Sequence, residues 1–305
     1  LWVVASDYEE DLRIGREILG YQIDAYRRLR NTLRFLLGNL AGFEAAERLP
    51  AGEMPELERW VLHRLHELDG LVRRGCDDFD FHSIFQGLHN FCAVDLSAFY
   101  FDVRKDSLYC DRLDAPRRRA CRSVLDEVFG CLTAWLAPIL CFTAEEAWWA
   151  RGTGPEESVH LRLFPELPAA WHDPGLAEKW ARVREVRRVV TGALEIERAE
   201  KRIGSSLLAH PRVYVARPEL LEALDGVELA EIAITSDLTV IAQEPPAGTF
   251  TIEEVAGVGV SAGLAEGEKC QRCWRVLTDV GNHDEAPDVC GRCADALRHR
   301  GVPDQ

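Results

Sequence analysis

The chain has 305 residues, is 47% hydrophobic, and carries 51 Asp and Glu against 36 Lys and Arg, a formal net charge of −15. That length leaves room for two or three domains around sizeable cores. The acidic balance argues against a surface that binds nucleic acid everywhere, and no run of about eighteen apolar residues reads as a membrane span.

The apolar start Leu1–Ser6 has no basic region before it, so it does not read as a signal peptide. Leu1 is not Met, and Met54 is the only methionine, so the chain reads as a piece of a longer protein. Ten cysteines without a secretory signal suit a reducing cytoplasm.

Taken in order, residues 7 to about 150 read as long helices. The first is expected from Asp11 to Leu40, with Leu19, Ile23, Tyr26, Leu33, Leu37 and Leu40 at helical spacing and Gly42 as a stop. A second starts near Met54-Pro55 and ends near Gly75. A third spans Phe79–Val103 and a fourth Pro116–Pro138. A fifth is expected to begin at Thr143, where Thr143-Ala-Glu-Glu146 matches a capping box. This is a helical bundle with short loops.

A Gly- and Pro-rich linker follows over 151–175, holding Gly152, Gly154, Pro155, Pro165, Pro168, Pro174 and Gly175. Inside it Ser158–Phe164 reads as a short extended segment. A further helix is expected over Leu176–Lys201. Beyond it Arg212–Val215, Leu229–Ile234, Leu238–Ile241, Thr249–Glu254 and Val258–Ser261 read as strands, with Glu219–Leu224 as a helix among them. The fold class is therefore mainly α, with a small α/β appendage.

Charge is unevenly spread. Lys179–Arg212 holds nine Lys or Arg against four Glu, whereas Val213–Glu268 holds eleven acids and one Arg. A basic stripe on an acidic body suits a partner that docks in one place, such as a folded RNA.

The strongest motif closes the chain. Cys270-Gln-Arg-Cys273 is followed, after sixteen intervening residues, by Cys290-Gly-Arg-Cys293. Two Cys-x2-Cys knuckles at this separation suit one structural zinc ion bound by four thiolates, a site with no open coordination position and hence no catalytic role. Paired disulfides or free thiols are the alternative, and the lack of a secretory signal weighs against disulfides. Arg272, Trp274, Arg275 and Arg292 surround the knuckles; they can face a nucleic acid, or Trp274 can cap the ribbon's small core. The other six cysteines read as small buried hydrophobes.

On the first helix Arg27, Arg30, Asn31 and Arg34 fall at i, i+3, i+4 and i+7, one face that can grip phosphates and a base edge. A solvated face paired with Asp24 or Glu44 is the competing reading. Arg198, Lys201 and Arg202 form a second basic cluster, and Arg184, Arg187 and Arg188 a third. His63, His66, His82 and His89 read as packing or surface residues. No phosphate loop, nucleophile elbow or His-Glu-x-x-His pattern is present in the sequence, so no residue is assigned a catalytic role.

Several stretches carry a resemblance: Leu1–Ile14 (LWVVASDYEEDLRI), Tyr26–Leu40 (YRRLRNTLRFLLGNL), Asp95–Cys110 (DLSAFYFDVRKDSLYC), Leu136–Trp148 (LAPILCFTAEEAW), Glu200–Leu207 (EKRIGSSL) and Lys269–Val276 (KCQRCWRV). The chain resembles the C-terminal part of bacterial isoleucyl-tRNA synthetases, class I aminoacyl-tRNA ligases. The bundle alone would also suit the valyl, leucyl or methionyl enzymes; the four-cysteine module selects the isoleucyl one. The family's catalytic signatures, His-Ile-Gly-His and KMSKS, are absent, as is its editing domain.

The resemblance implies a helical anticodon-binding bundle, a small α/β junction and a C-terminal zinc ribbon. Residues 1–17 would be a connector from a missing catalytic domain, 18–150 the bundle, 151–212 a linker and basic helix, 213–262 the appendage and 263–305 the ribbon. The full enzyme would activate isoleucine with ATP and attach it to its tRNA. This piece would bind isoleucine tRNA, through Arg27, Arg30, Asn31, Arg34, Lys201 and Arg202, with Arg272 and Trp274 on the ribbon. A cytoplasmic monomer is expected, partnered by its own catalytic domain and no membrane. Two other classes compete: a zinc-ribbon interaction domain without a tRNA role, and a DNA-repair glycosylase with a similar finger, against which the long bundle and the missing Pro-Glu start both count.

Overall fold

A computed structural model describes residues 1–8, 11–153 and 157–299. Gly154 and Pro155 of the expected linker lie outside them, as do the last residues of the expected ribbon. The chain divides into two compact units: 1–108 with 114–173, and 109–113 with the residues from 174 onward. Among the described residues, no helix is long and apolar enough to cross a membrane.

The first unit is all helical. A short turn α1 (Trp2–Ala5) precedes α2 (Arg16–Leu40) and α3 (Glu56–Asp77). Then α4 (Phe81–Asn90) runs through a π-helical stretch, Phe91–Tyr100, into α5 (Phe101–Cys110). Next come α6 (Pro116–Leu136) and α7 (Cys141–Trp148). Pro116 opens α6 at a position where its missing N–H costs nothing. α6 is the core of the bundle: Val124, Leu125, Val128, Leu132 and Trp135 are all buried, and α2, α3 and α7 pack on it.

Several details differ from the expectations. The buried stripe of α2 is Leu29, Thr32, Leu33, Leu36 and Leu40. Leu19 and Ile23 are exposed, because the apolar pattern of its first two turns points away from the helices that pack on the rest. α7 starts at Cys141, two residues before the expected cap. Thr143 shares a hydrogen bond with the Tyr26 hydroxyl at 3.1 Å, and Glu145 accepts from the Val159 N–H at 2.7 Å. The expected cap Thr143 and the neighbouring Glu145 are thus used for tertiary contacts. Within Ser158–Phe164 a 3-10 turn, Val159–Leu161, interrupts the expected extended segment, with Val159 buried and Ser158 and Arg162 extended on either side.

One polar cluster lies deep in this unit. Arg104 on α5 donates from Nε to Glu58 Oε1 at 2.6 Å and from Nη2 to Oε2 at 2.7 Å. The Tyr100 hydroxyl adds a third bond to Oε1 at 3.1 Å. Glu58, Arg104 and Tyr100 are all buried, so the two charges survive only by pairing and by filling each other's hydrogen-bonding capacity.

The second unit opens with α8 (Pro174–Ala199). Its buried residues Trp180, Val183, Val186, Val190 and Ala193 follow helical spacing. A three-stranded sheet follows, in the order β2-β1-β3, with β1 (Arg212–Val215), β2 (Thr239–Ile241) and β3 (Val258–Ser261). β1 runs parallel to β2 and antiparallel to β3. Between β1 and β2 lie α9 (Pro218–Leu224) and α10 (Leu229–Ile232). The expected strand Leu229–Ile234 instead begins with the helical turn Leu229–Ile232, whose Leu229 and Ile232, three apart and so on one helical face, are buried together; the short apolar run as a whole did not separate helix from strand. Thr249–Glu254 forms no strand; Phe250 makes a single bridge to Val260.

The ribbon closes this unit. β4 (Glu268–Lys269) and β5 (Val276–Leu277) pair antiparallel, and α11 (Gly291–Arg298) ends the described chain. Gly267 precedes the hairpin at φ 111°, where a Cβ would come within 2.3 Å of the Leu277 carbonyl oxygen. Only glycine fits there.

Candidate metal centre and nucleic-acid interface

The β4–β5 hairpin frames the first knuckle. Cys270 and Cys273 lie in its turn, while Cys290 caps α11 and Cys293 sits in that helix's first turn. All four are buried, and their Sγ atoms lie within 4.8 Å of one another. The Cys273 and Cys290 sulfurs are 3.8 Å apart. Tetrahedral coordination at a Zn–S bond of about 2.3 Å places sulfurs about 3.8 Å apart. The donor set and its spacing fit one structural zinc ion.

The Cys290 N–H points to Cys270 Sγ at 3.4 Å, and the positive end of α11 faces Cys290 and Cys293. Asp279 accepts from the Gly291 N–H at 2.8 Å, tying the intervening loop to the second knuckle. Hydrogen bonding with Cys290, with burial adding to it, pushes the metal-free Cys273 thiol up to about 11. Binding zinc therefore displaces protons and is linked to pH. A closed four-thiolate zinc supplies structure rather than reaction chemistry.

Trp274 does not cap the ribbon core. It follows the first knuckle with its N–H donating to the Cys270 carbonyl at 2.9 Å. It stands at φ 64° and is 61% exposed. The Lys269 ammonium sits over the ring, 5.7 Å from its centroid. A non-glycine residue in the left-handed region is uncommon, and here the knuckle's geometry imposes it. Arg272, from the same knuckle, turns inward: its guanidinium donates to the carbonyls of Cys110 and Tyr109.

On α2 the four polar candidates Arg27, Arg30, Asn31 and Arg34 are all exposed. Arg27 pairs with Asp24 at 3.1 Å, the competing reading's partner. Arg30, Asn31 and Arg34 have no hydrogen-bond or ion-pair partner among the described residues. Opposite them Leu29, Leu33 and Leu36 anchor the helix in the core, so the polar face is carried on a buried spine.

Much of the basic text of α8 and its end is engaged by partners within this unit. Arg187 donates to the Ile232 carbonyl at 2.8 Å, Arg188 pairs with Glu254 at 3.5 Å, and Arg198 with Glu195 at 2.5 Å. Arg202 grips both oxygens of Glu197, at 2.5 and 2.6 Å, and also meets Glu200. Hydrogen bonding to Arg202 holds the Glu197 carboxyl below its usual range. Lys201 differs: it is exposed and has no such partner among the described residues. It takes φ 58° at the end of α8, where the Arg202 N–H reaches back to the Glu197 carbonyl at 2.9 Å. Glycine is the usual residue at such a helix end.

Sequence reasoning missed one buried neighbour of the metal cluster. Cys110, read as a small hydrophobe, belongs to one buried cluster with the four ligand cysteines. No local spacing could have indicated it, because it lies far from the knuckles in the chain.

Comparison with known proteins yields two family matches. Residues 58–213 match the family described as "Anticodon-binding domain of tRNA ligase". Residues 267–296 match "Zinc finger found in FPG and IleRS". The α2 face lies upstream of the first match. Among curated proteins the chain is 55% identical over 298 residues to the isoleucine–tRNA ligase of Agrobacterium fabrum, covering 98% of this chain and 31% of that protein. It is 56% identical over 299 residues to that of Ruegeria pomeroyi, covering 97% and 30%, and 54% identical to that of Brucella abortus strain 2308, covering 98% and 30%. The chain thus spans under a third of the length of these relatives.

Proposed function

We propose, for a chain that belongs to the family of anticodon-binding domains of tRNA ligases, that it is the tRNA-docking C-terminal portion of an isoleucine–tRNA ligase. The whole enzyme would join isoleucine to its tRNA at the expense of ATP, with the chemistry performed by a domain outside this sequence. The present residues bind isoleucine tRNA and work with that catalytic domain of the same polypeptide, as a monomer in the cytoplasm. The finger family is shared with FPG proteins, so the ribbon alone would leave a DNA-repair role open. The anticodon-binding match over the helices favours the tRNA reading.

The observation that carries the proposal is the face of Arg30, Asn31 and Arg34. Two guanidinium groups and an amide stand in solvent, without intramolecular partners among the described residues, on a chain of net charge −15. Such groups suit phosphates and the edges of splayed single-stranded bases. Lys201 and Trp274 are secondary candidates. Each occupies a backbone position where glycine would be less strained, and an exposed Trp is a platform for stacking a base. The ribbon, in this reading, holds Trp274 in that pose. In domain terms we assign 1–17 to the connector, 18–150 to the tRNA-binding bundle, 151–212 to the linker and basic helix, 213–262 to the junction and 263–305 to the ribbon.

The test is a titration of the zinc-loaded chain with isoleucine tRNA and with the same transcript carrying a swapped anticodon, at two salt concentrations. A preference for the cognate anticodon at both is expected. Equal binding to both that collapses with salt would reduce the role to electrostatic docking, and no binding to either would favour an interaction domain without an RNA role.

A further inference from the structure

The segment Tyr109–Leu113 belongs with the second unit, and both knuckles grip it. From the first, Arg272 donates to the Cys110 carbonyl and, at 2.9 Å, to the Tyr109 carbonyl. From the second, Arg292 Nη1 donates to Asp111 Oδ1 at 3.1 Å. Arg112 in turn reaches Asp295 on α11 at 3.4 Å. The arginine preceding the second cysteine of each Cys-x-x-Cys is therefore used on the same five residues.

This clamp seats Cys110 against the metal cluster. Cys110 is 6% exposed and belongs to one buried cluster with the four ligand cysteines, Val289 and Ala294. Its S–H points to the Arg272 carbonyl oxygen, 3.7 Å away. Four thiolates complete a structural zinc site, so a fifth sulfur at this place is an outer-sphere group. Such groups orient ligands and tune the metal, and removing one typically costs about 10- to 100-fold in metal affinity.

We propose that Cys110 is a positioning residue of the zinc centre: a fifth, non-ligating thiol that the Arg272–Arg292 clamp holds against the buried ligand cluster, orienting the first knuckle through the Arg272 carbonyl and closing the cluster to water and competing chelators. The inference rests on the reading of Cys270, Cys273, Cys290 and Cys293 as a zinc site.

The experiment uses the full chain, wild type beside Cys110→Ala, Cys110→Val and Cys110→Ser. Zinc content comes first, by elemental analysis, with one ion per chain expected in each. Zinc affinity and release rate are then measured against a chromophoric chelator, and cobalt(II) is substituted to read the sulfur-to-metal charge-transfer bands. Cys110→Ala should bind zinc roughly 10- to 100-fold more weakly and release it faster. Cys110→Val, which keeps the bulk, should slow release again but still shift the cobalt bands. Cys110→Ser, which keeps a hydrogen-bond donor, should stay nearest to wild type. One zinc per chain with unchanged affinity, release and cobalt spectrum in both the Ala and Val variants overturns the proposal while leaving the zinc site standing. A wild-type chain that takes up no zinc overturns both.

Discussion

Replacing Arg30 and Arg34 together by Ala tests the α2 face most directly. Both side chains are exposed and make no hydrogen bond or ion pair among the described residues. Their loss should therefore move folding stability by no more than about 0.5 kcal/mol. Each phosphate contact adds about 0.7 to 0.9 to the slope of log affinity against log salt. Two lost contacts lower that slope by about 1.4 to 1.8. At about 0.1 M salt, a tenfold dilution from a 1 M reference, this is roughly a 25- to 60-fold weakening. An arginine that reads a base edge instead would cost about 1–3 kcal/mol with the slope unchanged. The assay is anisotropy of labelled isoleucine tRNA at four salt concentrations, with thermal melts alongside. Arg27→Ala serves as the internal comparison: Arg27 is already paired with Asp24 and should matter less. A double variant that melts normally and binds with unaltered affinity and slope would refute the assignment of this face.

Four further outcomes are expected. Glu58→Ala should cost about 3–5 kcal/mol in urea unfolding, because it strands a buried guanidinium; joint replacement by Leu at 58 and Met at 104 should cost far less, and equal losses would contradict the buried-pair reading. Trp274→Gly should hold or raise stability, since it relieves a positive φ, while weakening tRNA binding by about 1–3 kcal/mol if the ring stacks on a base. Chelating zinc should raise amide exchange across residues 268–298 with little change in the helices of the first unit, because metal binding and ribbon folding are one equilibrium; uniform protection with and without chelator would show otherwise. Burial, opposed by Glu67 and helped by His172 and Arg64, holds His63 below the ordinary histidine range. A depressed imidazole means the unfolded chain binds more protons. Stability is then full above about pH 6.5 and falls as the pH drops from there toward the folded value. The Asp173 N–H donates to His63 Nδ1 at 2.9 Å, so protonation also breaks that bond. Unfolding midpoints at pH 7.5 and 5.5 for wild type and His63→Gln should show the smaller acid loss in the variant.

What sequence could disclose followed the range of the interactions involved. The metal centre was legible because its ligands come in two short knuckles whose spacing is itself the geometric requirement. The alignment of Arg30, Asn31 and Arg34 followed from helical periodicity, and the helix carrying them starts at Arg16. By contrast, Leu19 and Ile23 continue the apolar pattern yet stay exposed, since periodicity reports a face and not what packs on it. Glu58 and Arg104 find each other across 46 positions, with no local sign in either segment. Arg272 and Arg292 looked like candidates for RNA contact from their place in the knuckles. Arg272's guanidinium is spent on backbone carbonyls, and Arg292 meets Asp111, partners supplied by a turn far away in the chain.

The Glu58–Arg104 pair also acts as a ruler. Two donor atoms must meet two acceptor atoms at once, at 2.6 and 2.7 Å. A one-residue slide of α3 along α5 is a 1.5 Å displacement with a 100° turn, and it would break both bonds and bury both charges alone. An apolar contact at the same place would tolerate the slide, since one leucine can take another's seat. The fork therefore makes neighbouring alignments of the two helices costly in a way that apolar contacts alone would not.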